Sequence, residues 1–593
     1  MKFRLIRLRF RRRIRKGQQQ VEDFSQQAEQ KIESHVFRRF GRLAPVKRFV
    51  FGWTTLLLLI VSLLIAQNLN LSNFYQTLRA VPGGIYNEGI IGVFTGANPL
   101  YATSSIDSSV SKLIFAGLFK YDENNKLVGD LAQSFTSDAK GQVYTVHLKP
   151  GLTWHDGKRL TSVDVVFTYK TIQNPDAQSP LQSSWQGINV TATDPNTVVF
   201  SLPDPLASFP YSMVNGIVPK HLLDKLPVAD LRSSDFNSAH PIGSGPFMWR
   251  SIQVIGSDPL TQQSQIQLLP FEHYNGGVPS LQQFVVHAYA SQSKLVKAFR
   301  ANQLNGAEGL TQITSALVNM PGLHSNNMIL SAATMVFFKT SSGVLADAKV
   351  RAALVQAIDL TSIIKQLGYP THAVREPLLN GQLGFDLSKQ QSGYNLNAAK
   401  ATLDADGWIV GKDGIRVKAG NKLSFRLVVA DNPEYRNLVE NLHKYWLTVG
   451  VQMIPETLNS ADFQGTLSQH NYEAILYGIS IGVDPDVFAY WDSSQADIRS
   501  GNRLNLSEYN NTTADAALEA GRTRTNPALR VVKYKPFLSA WQQDNPALGL
   551  YQPRSLYLTN GTVYGLNVHT LNTPTDRYSN VENWKIRLAK VTD

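Results

Sequence analysis

The stretch Trp154–Lys170, WHDGKRLTSVDVVFTYK, sets a His, an Asp and a Thr–Ser pair beside a tryptophan. It can be read as a catalytic cluster or as a turn feeding a helix. Asp156-Gly157 is a strong turn signal. Thr161 to Asp164 fits a capping box, in which the N-cap and N3 side chains each satisfy a backbone N–H of the other. Val163, Val166 and Phe167 then supply the apolar face of the following helix. Every polar residue has a local structural task, so His155 reads as a turn residue rather than a general base.

The pattern extends outward in both directions. VYTVHLKPGLTW alternates Tyr144, Val146 and Leu148 with Thr145 and His147, as a half-buried strand does. DSSVSKLIFAGLFKYD spaces Val110, Ile114 and Leu118 by four, with Ser108 or Ser109 as the cap of a helix. DPNTVVFSLPDP is a turn, a short strand and proline punctuation. Helical and strand signals alternate without a tandem repeat, which places the chain in the α/β class.

The 593 residues suffice for more than one domain. Cysteine is absent, which excludes disulfides, thiolate metal sites, a cysteine nucleophile and a lipid attached through cysteine. The net charge of +12 is uneven. Residues 1–48 hold 15 basic and 4 acidic side chains, and the remainder holds 42 and 41. A basic pI therefore describes a tail, and the balanced remainder argues against nucleic acid as a partner.

FVFGWTTLLLLIVSLLIA, residues 49–66, carries no charge. At ~1.5 Å per residue it reaches ~27 Å, close to the ~30 Å hydrocarbon core of a bilayer. The long basic region before it and the lack of an A-x-A-like site after it favour an uncleaved anchor over a signal peptide. The positive-inside rule puts residues 1–48 in the cytoplasm and the rest outside. Within the tail, MKFRLIRLRFRRRIRK suits either anionic headgroups or a solvated topology signal. Val21, Phe24, Ala28, Ile32 and Val36 fit a short amphipathic helix. Residues 67–84 read as a stalk.

GLFKYDENNKLVGDLAQSFTSDAKGQVYTVHLKPGLTWHDGKRLTSVDVVFTYKTI resembles the signature region of the family-5 extracellular solute-binding proteins, the peptide- and oligopeptide-binding receptors of ABC importers. Leu131 to Phe135, His155-Asp156-Gly157 and Thr161 to Val165 carry that match. Further motifs follow in the family's order: PIGSGPFMW (241–249), FEHYNGGVPSLQQFVVHAY (271–289), DAKVRAALVQAIDLTSIIKQLGY (347–369), YNLNAAKATLDADGW (394–408) and GVDPDVFAYW (482–491). The resemblance covers roughly residues 85–585.

The resemblance implies a two-lobe, periplasmic-binding-protein-like α/β ectodomain (type II, large peptide-binder type) that closes on a ligand. Lobe I would comprise 85–290 and 554–593, and lobe II 291–553. It also implies a monomer that delivers a peptide or other small solute to an ABC permease, with the membrane segment replacing a lipoprotein tether. A ligand sensor signalling through the cytoplasmic tail is the alternative.

No cofactor or metal is expected. The twelve His include no H-x-x-x-H pair, Asp484-Pro485-Asp486 lacks EF-hand spacing, and IGSGPF is not a nucleophile elbow. Gly243 and Gly245 read as backbone permissiveness in a turn. By analogy with the family, Tyr101, Thr103 and Ser104 face the ligand from one lobe. Tyr477, Ser480, Ile481, Gly482, Asp484 and Trp491 face it from the other. Two departures stand out. Aligned on Asp484-Pro485-Asp486, Ile481 occupies the position where peptide-binding members carry an Asp for the ligand α-amine. Asn432, the tenth expected ligand contact, lies near the point where dipeptide binders place an Arg for the ligand carboxylate.

Overall fold

The computed structural model describes residues 47–74, 76–256, 263–500, 503–567 and 569–592. The expectations for the cytoplasmic tail and its amphipathic helix lie outside these residues. The chain forms two compact units, residues 1–79 with 588–593, and Ala80–Arg587. In the first, a helix runs Lys47–Phe74, and its segment Lys47–Asn68 is long and apolar enough to cross a membrane. The span is exposed along its length, as Leu57, Leu58 and Leu63 illustrate. The segment expected to be a stalk is helical to Phe74 and continues as a strand, Gln76–Val81.

The second unit is a two-lobe α/β structure. One lobe is built on an eight-stranded sheet among the described residues. Its centre is the strand Ile85–Ile91, paired in parallel with Gln283–Tyr289 on one side and Gly306–Glu308 on the other. The strands Leu323–Leu330 and Arg554–Asn560 extend it as an antiparallel pair. A four-stranded antiparallel sheet adjoins it, ordered Ala132–Ser137, Val143–Leu148, Thr197–Ser201, Asn189–Asp194. Tyr144, Val146 and Leu148 point inward from Val143–Leu148, matching the alternation read in the sequence. One continuous core joins the two sheets and encloses Trp154, Trp185 and Trp584 completely.

The other lobe is built on a five-stranded sheet, ordered Gln452–Leu458, Ser424–Ala430, Ala474–Ser480, Ala332–Phe338, Ala547–Tyr551. Every residue of Ala332–Phe338 is buried. Val336 and Phe338 enter one core, while Ala333, Met335 and Phe337 enter another. Helices cover both faces, so the strand reads as a continuous apolar run rather than an alternating one. Helix Pro433–Thr448 contributes Leu438, Leu442 and Trp446 to the first core, and helix Pro527–Asp544 contributes Tyr534, Phe537 and Trp541 to the second.

The chain crosses between the sheets twice. Ser331 separates Leu323–Leu330 from Ala332–Phe338, and Gln552-Pro553 separate Ala547–Tyr551 from Arg554–Asn560. The expected lobe boundary at 291 is therefore misplaced. Residues 306–330 lie beyond it, yet Gly306–Glu308 and Leu323–Leu330 pair within the eight-stranded sheet. Helix Gln292–Arg300 packs there too, placing Leu295 and Phe299 in a core with Leu556 and Leu558.

Two local expectations also need amendment. The helix after the His-Asp-Gly turn spans Ser162–Gln173 with its capping box formed, the Asp164 carboxylate accepting the Thr161 N–H at 2.9 Å. Val163, however, is exposed, and the buried face is Val165, Thr168, Tyr169 and Ile172. The earlier helix spans Ser105–Ile114 and is capped by Ser104 rather than by Ser108 or Ser109. Leu118 lies beyond its end.

Candidate functional site

The His-Asp-Gly turn proves to be a structural joint. His155 Nδ1 accepts the Gly243 N–H at 3.2 Å, and its Nε2 lies 3.0 Å from the Gly245 carbonyl. Accepting at one nitrogen and donating at the other defines the neutral Nε2–H tautomer. Burial pushes its pKa down to about 4, against the smaller opposing pull of the Gly245 bond. Gly243 and Gly245 are required by close approach. A Cβ on Gly243 would lie 2.0 Å from the Ile114 carbonyl oxygen, and one on Gly245 2.7 Å from the Ile114 carbonyl carbon. Two sequence motifs thus form one wedge within the first lobe.

A cavity of about 720 Å³ lies where both lobes meet the two crossovers. Asn125, Phe135, Tyr144 and Tyr211 line it from the first lobe; residues 379–383, Gly482, Asp484 and Arg530 line it from the second. Ser331 and Gln552 form its floor. The Ser331 carbonyl accepts the N–H groups of Ile481 and Gly482 at 3.0 and 2.9 Å, and its hydroxyl accepts Asn125 Nδ2 at 2.9 Å. Gly482 has φ +77°, a left-handed conformation that favours glycine. Its carbonyl accepts Gln382 Nε2 at 2.9 Å, while Gln382 Oε1 accepts the Leu379 N–H at 2.6 Å. The loop 379–383 is thereby fastened to the strand end.

Asp484 faces this cavity already paired. Arg530 donates to both its oxygens, at 2.7 and 2.6 Å, and the remaining guanidinium contacts go to the Gly521 carbonyl and Tyr534 hydroxyl. Burial works against the charge on Arg530, but Asp484 more than offsets it and raises its pKa above the ordinary value. The wall is mixed polar and apolar, and its buried Asp484 and Arg530 charges neutralise each other. At the rim the lobes touch directly: the Ala207 N–H donates to the Arg522 carbonyl at 2.8 Å, and Ser208 Oγ donates to Asp486 Oδ2 at 2.9 Å.

Of the ten residues expected to contact ligand, the structure brings Gly482 and Asp484 to this cavity. Ile481 is buried in the second lobe's core and offers only its backbone nearby. Trp491 is fully buried, stacked on Phe337 at 5.6 Å and edge-on to Trp541 at 5.5 Å, so it is a core residue. Tyr477 is half-buried against Phe463. Ser480 accepts the Tyr490 hydroxyl through its carbonyl. Ser104 is spent capping a helix, Thr103 is exposed, and Tyr101 lies beside the Arg232 guanidinium. Asn432 caps helix Pro433–Thr448 and lines a smaller cavity of about 250 Å³.

That smaller cavity also holds a cation, Arg554. Arg554 enters it from the strand after the second crossover and lies over the Tyr369 ring at 3.8 Å. Glu434 holds the Tyr369 and Tyr551 hydroxyls at 3.1 and 2.6 Å. Sequence reasoning missed Arg554, Arg530, Gln382 and Asn125. Only Asn125, in a polar turn at φ +61°, left a local signal, because Asn tolerates that conformation. Among the described residues no group of three or more His, Cys, Asp or Glu could hold a metal.

Comparisons agree with this architecture. The sequence model for bacterial extracellular solute-binding proteins, family 5 (middle), matches residues 126–500. The oligopeptide-binding protein AppA of Bacillus subtilis is 26% identical over 520 residues, covering 85% of this chain and 91% of its own. Its solved structure, in complex with a nonapeptide, superposes with a TM-score of 0.67 at 24% identity, covering 86% and 100%. NikZ of Campylobacter jejuni, solved with Ni(L-His), gives a TM-score of 0.69 at 24% identity, covering 85% and 99%. A Brucella suis protein named as an ABC transporter peptide-binding protein is 24% identical, covering 80% of this chain and 88% of its own.

Proposed function

The chain belongs to family 5 of the bacterial extracellular solute-binding proteins, which bind solutes rather than transform them, and on that premise we propose that it captures a peptide or other small solute between its lobes and delivers it to an ABC permease. The observation that carries this reading is the 720 Å³ cavity at the two crossovers, lined from both lobes, which touch beside it through Ser208 and Asp486. Such a site changes shape when the lobes rotate, so capture and release follow from hinge motion. The lobes would comprise residues 85–330 with 554–587, and 332–551.

The apolar helix Lys47–Asn68 and the basic residues before it support a membrane anchor with the cytoplasmic end first. A tethered receptor stays near its permease without a lipid.

The neutralised cavity wall bears on specificity. A ligand ammonium buried there would need a carboxylate, and an unpaired buried charge costs several kcal/mol. Ile481 supplies none and Asp484 is held by Arg530. The ligand is therefore a neutral or blocked peptide, a longer peptide held through its backbone, or a non-peptide solute. Mass spectrometry of material extracted from the purified protein tests the assignment. A discrete small molecule should accompany the wild type and be lost in Ser137→Trp, which fills the cavity from one wall; equal recovery from both would place the ligand elsewhere.

A further inference from the structure

The segment beneath the cavity loop contains a carboxyl group that the binding site does not use. Glu376 is fully buried at the root of the loop that carries residues 379–383 into the cavity. Its Oε1 has no hydrogen-bond partner among the described residues, and its Oε2 has only the Asp386 N–H at 3.4 Å. Among the described residues no cation pairs with it. Arg375, its chain neighbour, lies against Gly393. Asp386, at the far end of the loop, is the charged group that acts on it, and it repels an ionised Glu376. Asp386 itself is held by Ser388 and lies in the field of Lys389 and Lys535.

A buried carboxylate with no counter-ion is strongly disfavoured, so the group stays protonated and neutral at ordinary pH. Burial pushes its pKa up to about 8. The residues that bracket the loop are thus Glu376 and Asp386, linked by one long hydrogen bond. Leu378 and Leu379 are packed in the core beside them. Ionisation would place an unpaired negative charge under these leucines, and the least disruptive response is for the loop to lift and admit water.

We propose that Glu376 is a positioning residue for the cavity loop, and that its ionisation loosens residues 378–386 and so makes solute capture sensitive to alkaline pH. The effect on capture rests on the solute-binding reading; the loosening of the loop does not, and is measured without solute. Hydrogen–deuterium exchange of the full chain in detergent gives protection factors at pH 6 and pH 9, corrected for the intrinsic rate. Protection across 378–386 should fall at least about tenfold in the wild type and stay constant in Glu376→Gln, with strand Ala474–Ser480 unchanged in both. A pH-independent loop in the wild type, or the same fall in both proteins, would overturn the proposal. Asp386→Asn provides a check if Glu376→Gln does not fold. Removing the nearest negative charge should move the midpoint of loosening to lower pH, and an unmoved midpoint overturns the proposal as well.

Discussion

Two buried arginine–carboxylate pairs occupy opposite kinds of place in this molecule. Glu88, on the central strand of the eight-stranded sheet, and Arg577, on the short turn Pro574–Tyr578, are deeply buried, with 0% and 1% side-chain exposure. Arg577 Nε donates to Glu88 at 3.0 Å, and its other nitrogens reach Ser109, the Pro574 carbonyl and the Tyr578 hydroxyl. Burial opposes the charge on Arg577, and Glu88 more than restores it. Asp484 and Arg530 are nearly as well buried but form a cavity wall. The first pair fastens the C-terminal return to the lobe's first strand. The second cancels charge where a solute would lie. The same chemistry fastens the fold in one place and, under the proposed function, bears on selectivity in the other.

The comparison is sharpest under mutation. Arg577→Met leaves Glu88 buried and unpaired, and should lower unfolding stability by about 3–5 kcal/mol in urea. Adding Glu88→Gln should recover part of that loss, because both charges are then gone. A loss under about 1 kcal/mol would mean that water reaches the pair. Asp484→Asn should cost less, about 2 kcal/mol, since Arg530 keeps Gly521 and Tyr534 and the amide still accepts one bond. Equal losses at the two sites would erase the distinction.

The His155 wedge provides a pH test of the same first lobe. Its folded pKa is depressed, so the neutral form is native. Stability from this group is present above pH 6.5, where the unfolded state is also neutral, and is lost as pH falls from 6.5 through about 4. By pH 5.5 the loss should be about 1.4 kcal/mol. His155→Gln should start less stable but show a flatter acid limb in thermal melts; an unchanged slope would detach the titration from His155.

The smallest effect is expected where a peptide-binding protein would usually show a large one. A mixed peptide library offered in free and N-acetylated forms should yield the same retained sequences, with affinities within about tenfold, ~1.4 kcal/mol. A greater loss on acetylation would reveal a carboxylate that reaches the ligand in spite of the Asp484–Arg530 pair.

Local features were legible in the sequence because local rules decide them. The strand Val143–Leu148 follows from alternation, the helix Ser162–Gln173 from its capping box, and the membrane-compatible helix from apolar length. The ordered motifs identified the fold. The first crossover was not legible, because Gly306–Glu308 pairs with Ile85–Ile91, a strand far earlier in the chain, and no local pattern encodes that partner. Site residues fared worst. Trp491 follows the DPD motif, and an aromatic there suggests a ligand platform, but its ring fills the core between Phe337 and Trp541. Arg530 lies on a helix distant in sequence, and nothing nearby announces that it closes on Asp484.

The central claim is that the two lobes trap a solute by closing at the Ser208–Asp486 rim. The absence of cysteine allows a clean spin-label pair at Lys140→Cys and Arg524→Cys, one on each lobe. Double electron–electron resonance should give a short distance in protein carrying its co-purified compound. A longer population should appear after that compound is removed by unfolding and refolding, and adding the extract back should restore the short one. A single, unchanged distance in all three samples would contradict a trap and leave a rigid scaffold in its place.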